Sequence, residues 1–365
     1  MNTQALPAFD RLAPKNSVLT LSGYGIRIVV EGGHLVIEDG VGSKRRRGRF
    51  ARASAGLKRV VVLGHSGIVS LEALRWLSDI GAAFVNIDSD GNLIAAIAPS
   101  GLDDARLRRA QARAFENGIG LEIARELIKR KLVGQLQIVG RLRDRAAMAA
   151  IGAAIEQIGK PRSIEQLRFL ESQAAVAYWG AWQDLDVVFV QRDFERVPEH
   201  WRSFGVRRSL ITGNPRKATN PANAILNYLY SILEGEARIA ALKLGLDPGL
   251  GVMHADLKAR DSLVCDLMEA LRPKVDQYAL TFLEQHAFKK NDFFETREGA
   301  CRLMPPISGE LVRTTEIWSR ELGPVAELVA KSLIADTPTL VTESNRSAGR
   351  RRYRERIHTV NAIRK

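Results

Sequence analysis

The chain has 365 residues, 45% of them hydrophobic and 26% charged, which excludes a globally disordered protein and suits two domains. Lysine and arginine (54) outnumber aspartate and glutamate (41), and the formal net charge of +13 favours a polyanionic partner such as nucleic acid. Two cysteines, Cys265 and Cys301, are too few for a disulfide framework, and the sequence has neither a signal-peptide pattern nor a long apolar run. These features predict a cytoplasmic protein that does not span a membrane.

Two runs of basic residues concentrate the positive charge. Residues 44–49 are KRRRGR and lie between strand-like segments, and residues 346–365 contain eight basic residues and one acidic residue, a net charge of +7. Each run alone also fits a solvated loop or a frayed terminus. Together with the excess over the whole chain, the two runs favour contacts with phosphate groups.

Residues 18–94 have mainly the pattern of β-strands. The stretch VLTLSGYGIRIVVEGGHLVIEDG (18–40) alternates apolar and polar positions around glycines, which is typical of successive hairpins and predicts a small antiparallel sheet. The apolar runs RVVVLG and GAAFVNID flank residues 70–80, in which apolar residues recur at helical spacing. This order predicts a strand, helix, strand unit.

From Leu102 onward, apolar residues recur every three to four positions, with few β-branched residues, which is the period of α-helices. The later segments with this pattern are residues 164–182, 220–244, 262–271, 276–285 and 307–334. The sequence therefore predicts an α+β fold, with a small N-terminal β-domain (15–105), a larger all-helical domain (106–340) and a basic C-terminal tail (341–365).

The segment GVMHADLKARDSLVCDLMEALRP (251–273) places two acids near a histidine. Asp266 and Glu269 are spaced i and i+3 on a predicted helix, so their carboxylates project from one face and are expected to converge on one point. The same spacing also fits the solvent-exposed face of an amphipathic helix. The spacing alone leaves both interpretations open.

His254 lies on a turn before this helix. Gly249 and Gly251 permit a backbone path that a helix would not allow, and Asp256 is close enough in sequence to orient the imidazole. One imidazole and two carboxylates suit Mg²⁺ or Mn²⁺, and the histidine tilts the choice towards Mn²⁺. A loop histidine without a ligand role is the alternative.

Residues 220–273, NPANAILNYLYSILEGEARIAALKLGLDPGLGVMHADLKARDSLVCDLMEALRP, resemble the signature of the CRISPR-associated integrase family, the metal-dependent DNA endonuclease and integrase of spacer acquisition. That family has an asparagine-rich helix start, a G-x-x-P-x-x-G-x-x-H turn and a D-x-x-D/E helix, in this order. The matching residues are Gly245, Pro248, Gly251 and His254 in the turn, then Asp266 and Glu269 in the helix.

The resemblance extends upstream of this signature. The stretch SIEQLRFLESQAAVAYW (163–179) resembles the family helix that carries the first metal-ligand glutamate, which falls on Glu171. In the N-terminal half, RVVVLGHSGIVSLEALRWLSDIGAAFVNIDSDGNLIA (59–95) resembles the family's run of strand, glycine, serine, helix, strand and Asp-x-x-Gly. The resemblance covers roughly residues 18–333 and leaves out the arginine-rich tail.

The resemblance implies a site and a reaction. It implies that Glu171, His254 and Glu269 hold Mg²⁺ or Mn²⁺, with Asp266 beside them as a second acidic group. It implies a catalytic helical domain in which the 3′-hydroxyl of a short DNA fragment attacks a phosphodiester of a CRISPR array. It also implies short double-stranded DNA and the CRISPR repeat as substrates, a homodimer formed through the β-domain and a small ferredoxin-like partner protein.

Two alternative functions stay open. A transposon-encoded integrase of the same fold would act on terminal inverted repeats without the small partner. A non-catalytic DNA-binding scaffold of the adaptation complex would keep the positive charge but lack metal-dependent turnover. All four site residues are present at the motif positions, which argues against the scaffold because a scaffold needs no metal ligands.

Four aromatic residues near these motifs have ordinary structural interpretations. Trp179 and Trp182 follow Glu171 at about helical spacing, which indicates core or interface packing rather than base stacking. Tyr228 and Tyr230 are expected to pack or to contact phosphate, because the arginine and histidine partners of a tyrosine recombinase are not recognisable around them.

Overall fold

The computed structural model describes residues 10–64, 66–99, 104–205, 218–254 and 260–335, and the predicted basic tail 341–365 lies outside them. The N-terminal part consists of short strands and one helix: β1 (Asp10–Arg11), β2 (Val18–Ser22), β3 (Ile26–Glu31), β4 (His34–Asp39), β5 (Arg46–Phe50), β6 (Arg59–Leu63), β7 (Gly67–Val69), α1 (Leu71–Asp79), β8 (Ala83–Ile87) and β9 (Leu93–Ile97).

The second part is dominated by helices. Its elements are α2 (Ala105–Arg113), α3 (Ile119–Leu142), α4 (Arg145–Gln157), α5 (Ile164–Gly180), α6 (Pro221–Leu244), α7 (Ser262–Glu269), α8 (Arg272–Gln285), β10 (Phe293–Glu295), β11 (Cys301–Leu303), α9 (Pro305–Leu311) and α10 (Thr315–Ala335). In the ranges that the structure describes, none of these helices is both long and apolar enough to cross a bilayer.

The N-terminal strands form two sheets, where the sequence predicts a small antiparallel sheet from residues 18–40 and a separate strand, helix, strand unit, which is present as β6, α1 and β8. The first sheet has the order β1-β5-β4-β3-β7, and its strands β3 and β4 form the predicted antiparallel hairpin. Strand β5, which pairs antiparallel with β4, falls on the basic run that the sequence placed between strand-like segments. The second has the order β2-β6-β8-β9, and β2, β6 and β8 run parallel. The expected hairpin of β2 with β3 is therefore wrong. Val18, Leu19 and Leu21 of β2 are buried on both faces of the strand, which suits a mainly parallel sheet that is covered on both sides.

The second sheet separates two hydrophobic cores. On β6, Val60 and Val62 face the core between the two sheets, whereas Val61 faces the helices. On β8, Phe84 and Val85 divide in the same way. Because successive side chains of a strand point to opposite faces, each strand contributes to both cores. The β-domain and the helical region are therefore packed against each other through one sheet.

The sequence predicted an all-helical second domain, but this part of the chain also contains two strands. Strands β10 and β11 form a two-stranded antiparallel hairpin with Phe293 opposite Leu303. Gly299 in the connecting turn has a φ of +73°, a conformation that favours glycine. The strands on either side of this glycine are only three residues long, so a search for helical periodicity does not detect them.

The basic run at residues 44–49 lies largely on strand β5, where part of its charge is already paired. Arg46 donates from Nε to the buried carboxylate of Asp39 at 2.8 Å. Arg47 forms longer ion pairs, at 3.5 Å, with Glu31 and with Glu38. This run therefore stabilises the first sheet, and only part of its charge is free to face a phosphate.

A buried ion pair joins the second sheet to helix α6. Arg59 of β6 donates from Nε and Nη2 to the two carboxylate oxygens of Glu236, each at 2.7 Å, and both residues are buried. The same guanidinium donates to Ser319 Oγ on α10 at 3.1 Å. A bidentate arginine–carboxylate pair has a fixed geometry, so it specifies how the sheet sits on the helices.

We expect Glu236→Gln to lower the free energy of unfolding by about 3–5 kcal/mol, because it leaves the Arg59 guanidinium buried without its counter-charge. Chemical denaturation followed by circular dichroism measures this change. The matched control is Glu327→Gln, the same substitution in an exposed pair with Lys331, which should cost less than about 1 kcal/mol. Equal losses in the two variants would show that the buried pair does not hold the sheet to α6.

Candidate functional site

The predicted site residues come from three separate parts of the helical region. Glu171 lies on α5, Asp266 and Glu269 lie on α7, and His254 lies in the segment between α6 and α7. Asp256, predicted to orient the histidine, lies outside the described residues. Both acids of α7 are buried, so the interpretation of this helix face as solvent-exposed is wrong.

The Asp266 carboxylate holds the loop that carries His254. Its Oδ2 atom accepts hydrogen bonds from the backbone N–H groups of Val252 (2.6 Å) and Met253 (3.0 Å). Its Oδ1 atom accepts a third from the backbone N–H of His254 (3.1 Å). These charge-assisted bonds offset the cost of burying the carboxylate and bind the loop to α7.

Gly251 allows this loop to approach α7 closely. A Cβ atom at this position would lie 2.6 Å from the His254 carbonyl oxygen and 2.7 Å from the Ser262 Cβ atom. Both distances are too short for real side chains, so any larger residue would push the loop away from Asp266. The sequence predicts a glycine-dependent turn here, and the structure attributes the need for glycine to close packing.

Asp266 also orients the imidazole of His254. The Nδ1 atom lies 2.6 Å from Asp266 Oδ1. Because the carboxylate acts as acceptor for the backbone N–H groups, we assign the proton of this bond to Nδ1, which donates it. With the proton on Nδ1, Nε2 is the ring nitrogen that presents a lone pair to a metal ion. Asp266 thus has the orienting role that the sequence attributed to Asp256. The carboxylates of Asp266 and Glu269 have separate partners, so they do not converge on one point as the sequence predicted.

Lys131 of α3 connects Glu171 with Glu269. Its Nζ atom lies 2.5 Å from Glu171 Oε1 and 2.6 Å from Glu269 Oε2, and its side chain is only 10% exposed. Lys131 was not among the predicted site residues. The signal that could have revealed it is a lysine on the apolar face of α3, one turn after the buried Leu127 and one turn before the buried Gln135.

Glu269 is charged although it is buried. Burial raises the pKa of a carboxyl group, but Arg272 and Lys131 outweigh this effect and lower the pKa of Glu269 to about 2. The Arg272 Nε atom lies 3.0 Å from Glu269 Oε1. Burial also opposes the charge of Lys131, yet the two glutamates raise its pKa. The cluster is therefore made of opposite charges in contact and not of neutral acids.

A family model described as CRISPR associated protein Cas1 matches residues 19–316, well over half of the chain. The chain belongs to the Cas1 family. One curated relative, the CRISPR-associated endonuclease Cas1 1 of Archaeoglobus fulgidus, is 31% identical over 304 residues, which cover 76% of this chain and 84% of the relative. The resemblance found in the sequence motifs is confirmed.

Two solved structures share the fold of this Cas1-family chain. A casposase bound to integration product is 26% identical, with a TM-score of 0.72, and the match covers 88% of this chain and 92% of the casposase. A Cas1 protein from Thermotoga maritima has a TM-score of 0.67 over 92% of this chain and all of that protein, and its 18% identity supports the fold alone. These matches support an N-terminal β region followed by a mainly helical region as the family architecture.

The chemistry of the site suits a divalent ion. In the ranges that the structure describes, no three histidine, cysteine, aspartate or glutamate side chains are arranged so that they could hold a metal ion as they stand. The carboxylates of Glu171 and Glu269 nevertheless both contact the ammonium group of Lys131. The buried Oε2 atom of Glu269 has no well-directed hydrogen bond despite its ion pair with Lys131. Two carboxylates and the imidazole of His254 are oxygen and nitrogen donors that fit Mg²⁺ or Mn²⁺.

A second buried network holds Arg272 in place. Its guanidinium lies 5.0 Å from the centre of the Tyr230 ring, a cation–π distance. Tyr230 and Tyr178 both donate their hydroxyl protons to the Asp276 carboxylate, Tyr178 at 2.7 Å. Burial and the charge of Asp276 raise the pKa of Tyr178, which keeps it protonated as a donor. Tyr230 therefore packs against Arg272, and packing was one of the two roles, packing or phosphate contact, that the sequence predicted for it.

The other aromatic residues near the motifs are part of the core. Trp182 is fully buried, and Trp179 stacks on Phe204 with 6.0 Å between the ring centres. Tyr228 is also buried, and burial raises its pKa. The packing roles predicted for these residues are confirmed.

We expect Asp266→Asn to lower the free energy of unfolding by about 3 kcal/mol or more, because it removes a charged acceptor and places an amide against backbone N–H groups. Urea denaturation of the two proteins measures the difference. Asp261→Asn is the matched control, since Asp261 precedes the same helix but pairs with a half-exposed Arg238 and should cost less than about 1 kcal/mol. A stability of Asp266→Asn equal to that of the control would contradict the role assigned to this carboxylate.

Proposed function

We propose that this Cas1-family chain is a metal-dependent DNA endonuclease and integrase that inserts short DNA fragments into a CRISPR array. The observation that carries the proposal is that Glu171 and Glu269 both contact the ammonium group of Lys131, while Asp266, three residues before Glu269 on α7, orients the imidazole of His254. Two carboxylates from different helices repel each other unless a positive charge lies between them. Such a pair beside a histidine is the ligand chemistry of a divalent ion that acts on phosphodiesters.

Each residue of the site has a role in this proposal. Glu171, His254 and Glu269 would hold Mg²⁺ or Mn²⁺, which when bound supplies positive charge at the scissile phosphate and activates the attacking hydroxyl. Asp266 keeps the proton of His254 on Nδ1 and so presents Nε2. Arg272 keeps Glu269 ionised and holds its orientation through their ion pair.

The proposed reaction exchanges one phosphodiester for another. The 3′-hydroxyl of the fragment attacks phosphorus at the end of the repeat, a new P–O bond forms, and the displaced 3′-oxygen leaves and takes up a proton. Because bonds of the same type form and break, the reaction needs no ATP. In agreement, the sequence contains no glycine-rich loop followed by Lys-Ser or Lys-Thr.

The proposed complex contains DNA, a second copy of the chain and a small ferredoxin-like partner. Strand β7 lies at one edge of the first sheet, and it carries Ile68, which is more than half exposed. Leu71, which begins α1, is also more than half exposed. Exposed apolar side chains at a sheet edge favour association, which supports a homodimer through the β-domain.

A transposon-encoded integrase of the same fold is the second candidate, and the similarity to a casposase bound to integration product favours it. The two candidates differ in the DNA that they join. A CRISPR integrase requires a repeat and responds to the small partner protein, whereas a transposon integrase requires terminal inverted repeats and acts without that partner. A non-catalytic scaffold would bind DNA and join neither substrate.

In a gel assay with short labelled DNA and a supercoiled target bearing the repeat, we expect joining with Mg²⁺ or Mn²⁺ and none with a chelator. His254→Ala should lower the joining rate by about 100-fold or more, because it removes an expected metal ligand. The control is His200→Ala, which removes a half-exposed imidazole paired with Glu295. Joining that survives the chelator would contradict metal dependence, and tight DNA binding without joining under any condition would favour the scaffold.

The arginine-rich terminus gives a separate prediction about DNA affinity. Deletion of residues 346–365, with a net charge of +7, should weaken DNA binding and reduce the slope of log affinity against log salt concentration, because fewer counterions are released. Fluorescence anisotropy at several salt concentrations measures both quantities. An unchanged slope would show that the terminus does not contact phosphates.

A further inference from the structure

Lys131 has no role in the reaction proposed above, yet it lies between two of the expected metal ligands. We propose that its ammonium group occupies the place of the divalent ion in the metal-free protein and leaves this place when the ion binds. The inference rests on the proposed function, because it concerns the same site. Lys131 is then a positioning residue that keeps two glutamates together until the ion arrives.

The distances exclude simultaneous occupation of this place by two cations. The Nζ atom of Lys131 lies 2.5 Å from Glu171 Oε1 and 2.6 Å from Glu269 Oε2. Carboxylate oxygens bind Mg²⁺ at about 2.0–2.1 Å. An ion bonded to both oxygens would overlap the ammonium group and repel its charge. Binding of the ion therefore requires Lys131 to move.

The charges of the cluster explain why a cation is needed there at all. Glu171 and Glu269 would face each other as two negative charges, and in a buried site this repulsion is only weakly screened. Arg272 contacts the other oxygen of Glu269, at 3.0 Å, and is not in the way of the ion. A divalent ion brings two positive charges to the place where Lys131 brings one, so the ion competes effectively.

The side chain of Lys131 can move while its helix stays in place. Gly134 of α3 packs so closely on Pro273 of α8 that a Cβ atom would lie 2.6 Å from the proline, which fixes the position of the helix backbone. The side chains of Glu171 and His254 are 21% and 18% exposed, so the cluster opens to solvent on their side. The flexible four-carbon stem of lysine allows the ammonium to swing towards this opening.

The experiment is a titration with Mn²⁺ alone, in which electron paramagnetic resonance measures the free ion at constant pH and ionic strength. Lys131→Met keeps an unbranched side chain one atom shorter and removes its charge, and Lys129→Met makes the same substitution at an exposed position of the same helix. We expect Lys131→Met to bind Mn²⁺ about tenfold or more tightly than the wild type, and Lys129→Met to bind as the wild type does.

Thermal unfolding provides a second readout without activity. In a chelator, Lys131→Met should melt at a lower temperature than the wild type, because the two glutamates lose the cation between them. Added Mn²⁺ should raise its Tm by more than it raises that of the wild type. Lys131→Gln, which keeps a polar end without the charge, should give the same changes and serves if the methionine variant does not fold.

The outcomes separate this inference from the proposed function. If the wild type binds Mn²⁺, Glu171→Gln does not, and Lys131→Met binds with equal or lower affinity, the role of Lys131 as competitor is wrong while the metal site stands. If folded wild type and folded variants all fail to bind Mn²⁺, the metal site is wrong, and both the proposed function and this inference are overturned.

Discussion

The candidate site depends on one buried carboxylate, that of Asp266. It accepts the backbone N–H groups of residues 252–254 and the Nδ1 proton of His254, so it joins a turn, a histidine and helix α7 into one unit. The Asp266 carboxylate is fully buried, so water does not replace these bonds. The direction of the imidazole therefore follows from the aspartate, and the close approach that the bonds require follows from Gly251.

Around this unit, the helices bring together charges that would be unfavourable apart. Glu171 and Glu269 come from α5 and α7, and Lys131 and Arg272 from α3 and α8. Each buried charge has an opposite charge in contact, which is the condition for burying ionised groups. The second network, in which Asp276 accepts from two tyrosines, continues this arrangement away from the site, because Tyr230 contacts Arg272. Arg272 is thus the contact between the second network and the site.

The position of the site relative to the β-domain follows from the two-faced second sheet. Its strands contribute alternate side chains to the core of the β-domain and to the core of the helices, and the Arg59–Glu236 pair fixes the sheet on α6. Helix α6 ends at Leu244 and is capped by Gly245, whose φ of +79° stops the helix, and the chain then enters the loop of His254. The sheet, α6 and the loop therefore form one continuous packed path from the β-domain to the site.

The sequence by itself determined the α+β class, most helices and the family motif, because periodicity, glycine turns and motif spacing depend on neighbours along the chain. It predicted Glu171, His254, Asp266 and Glu269 as a set. Only the tertiary structure decided that β2 joins a parallel sheet, that β10 and β11 interrupt the helices, and that Asp266 orients His254. It alone revealed Lys131, because the contact of this lysine with two glutamates joins three helices distant in sequence. Pairing of strands and of buried charges depends on contacts between segments that are distant in sequence, and local sequence patterns do not specify those contacts.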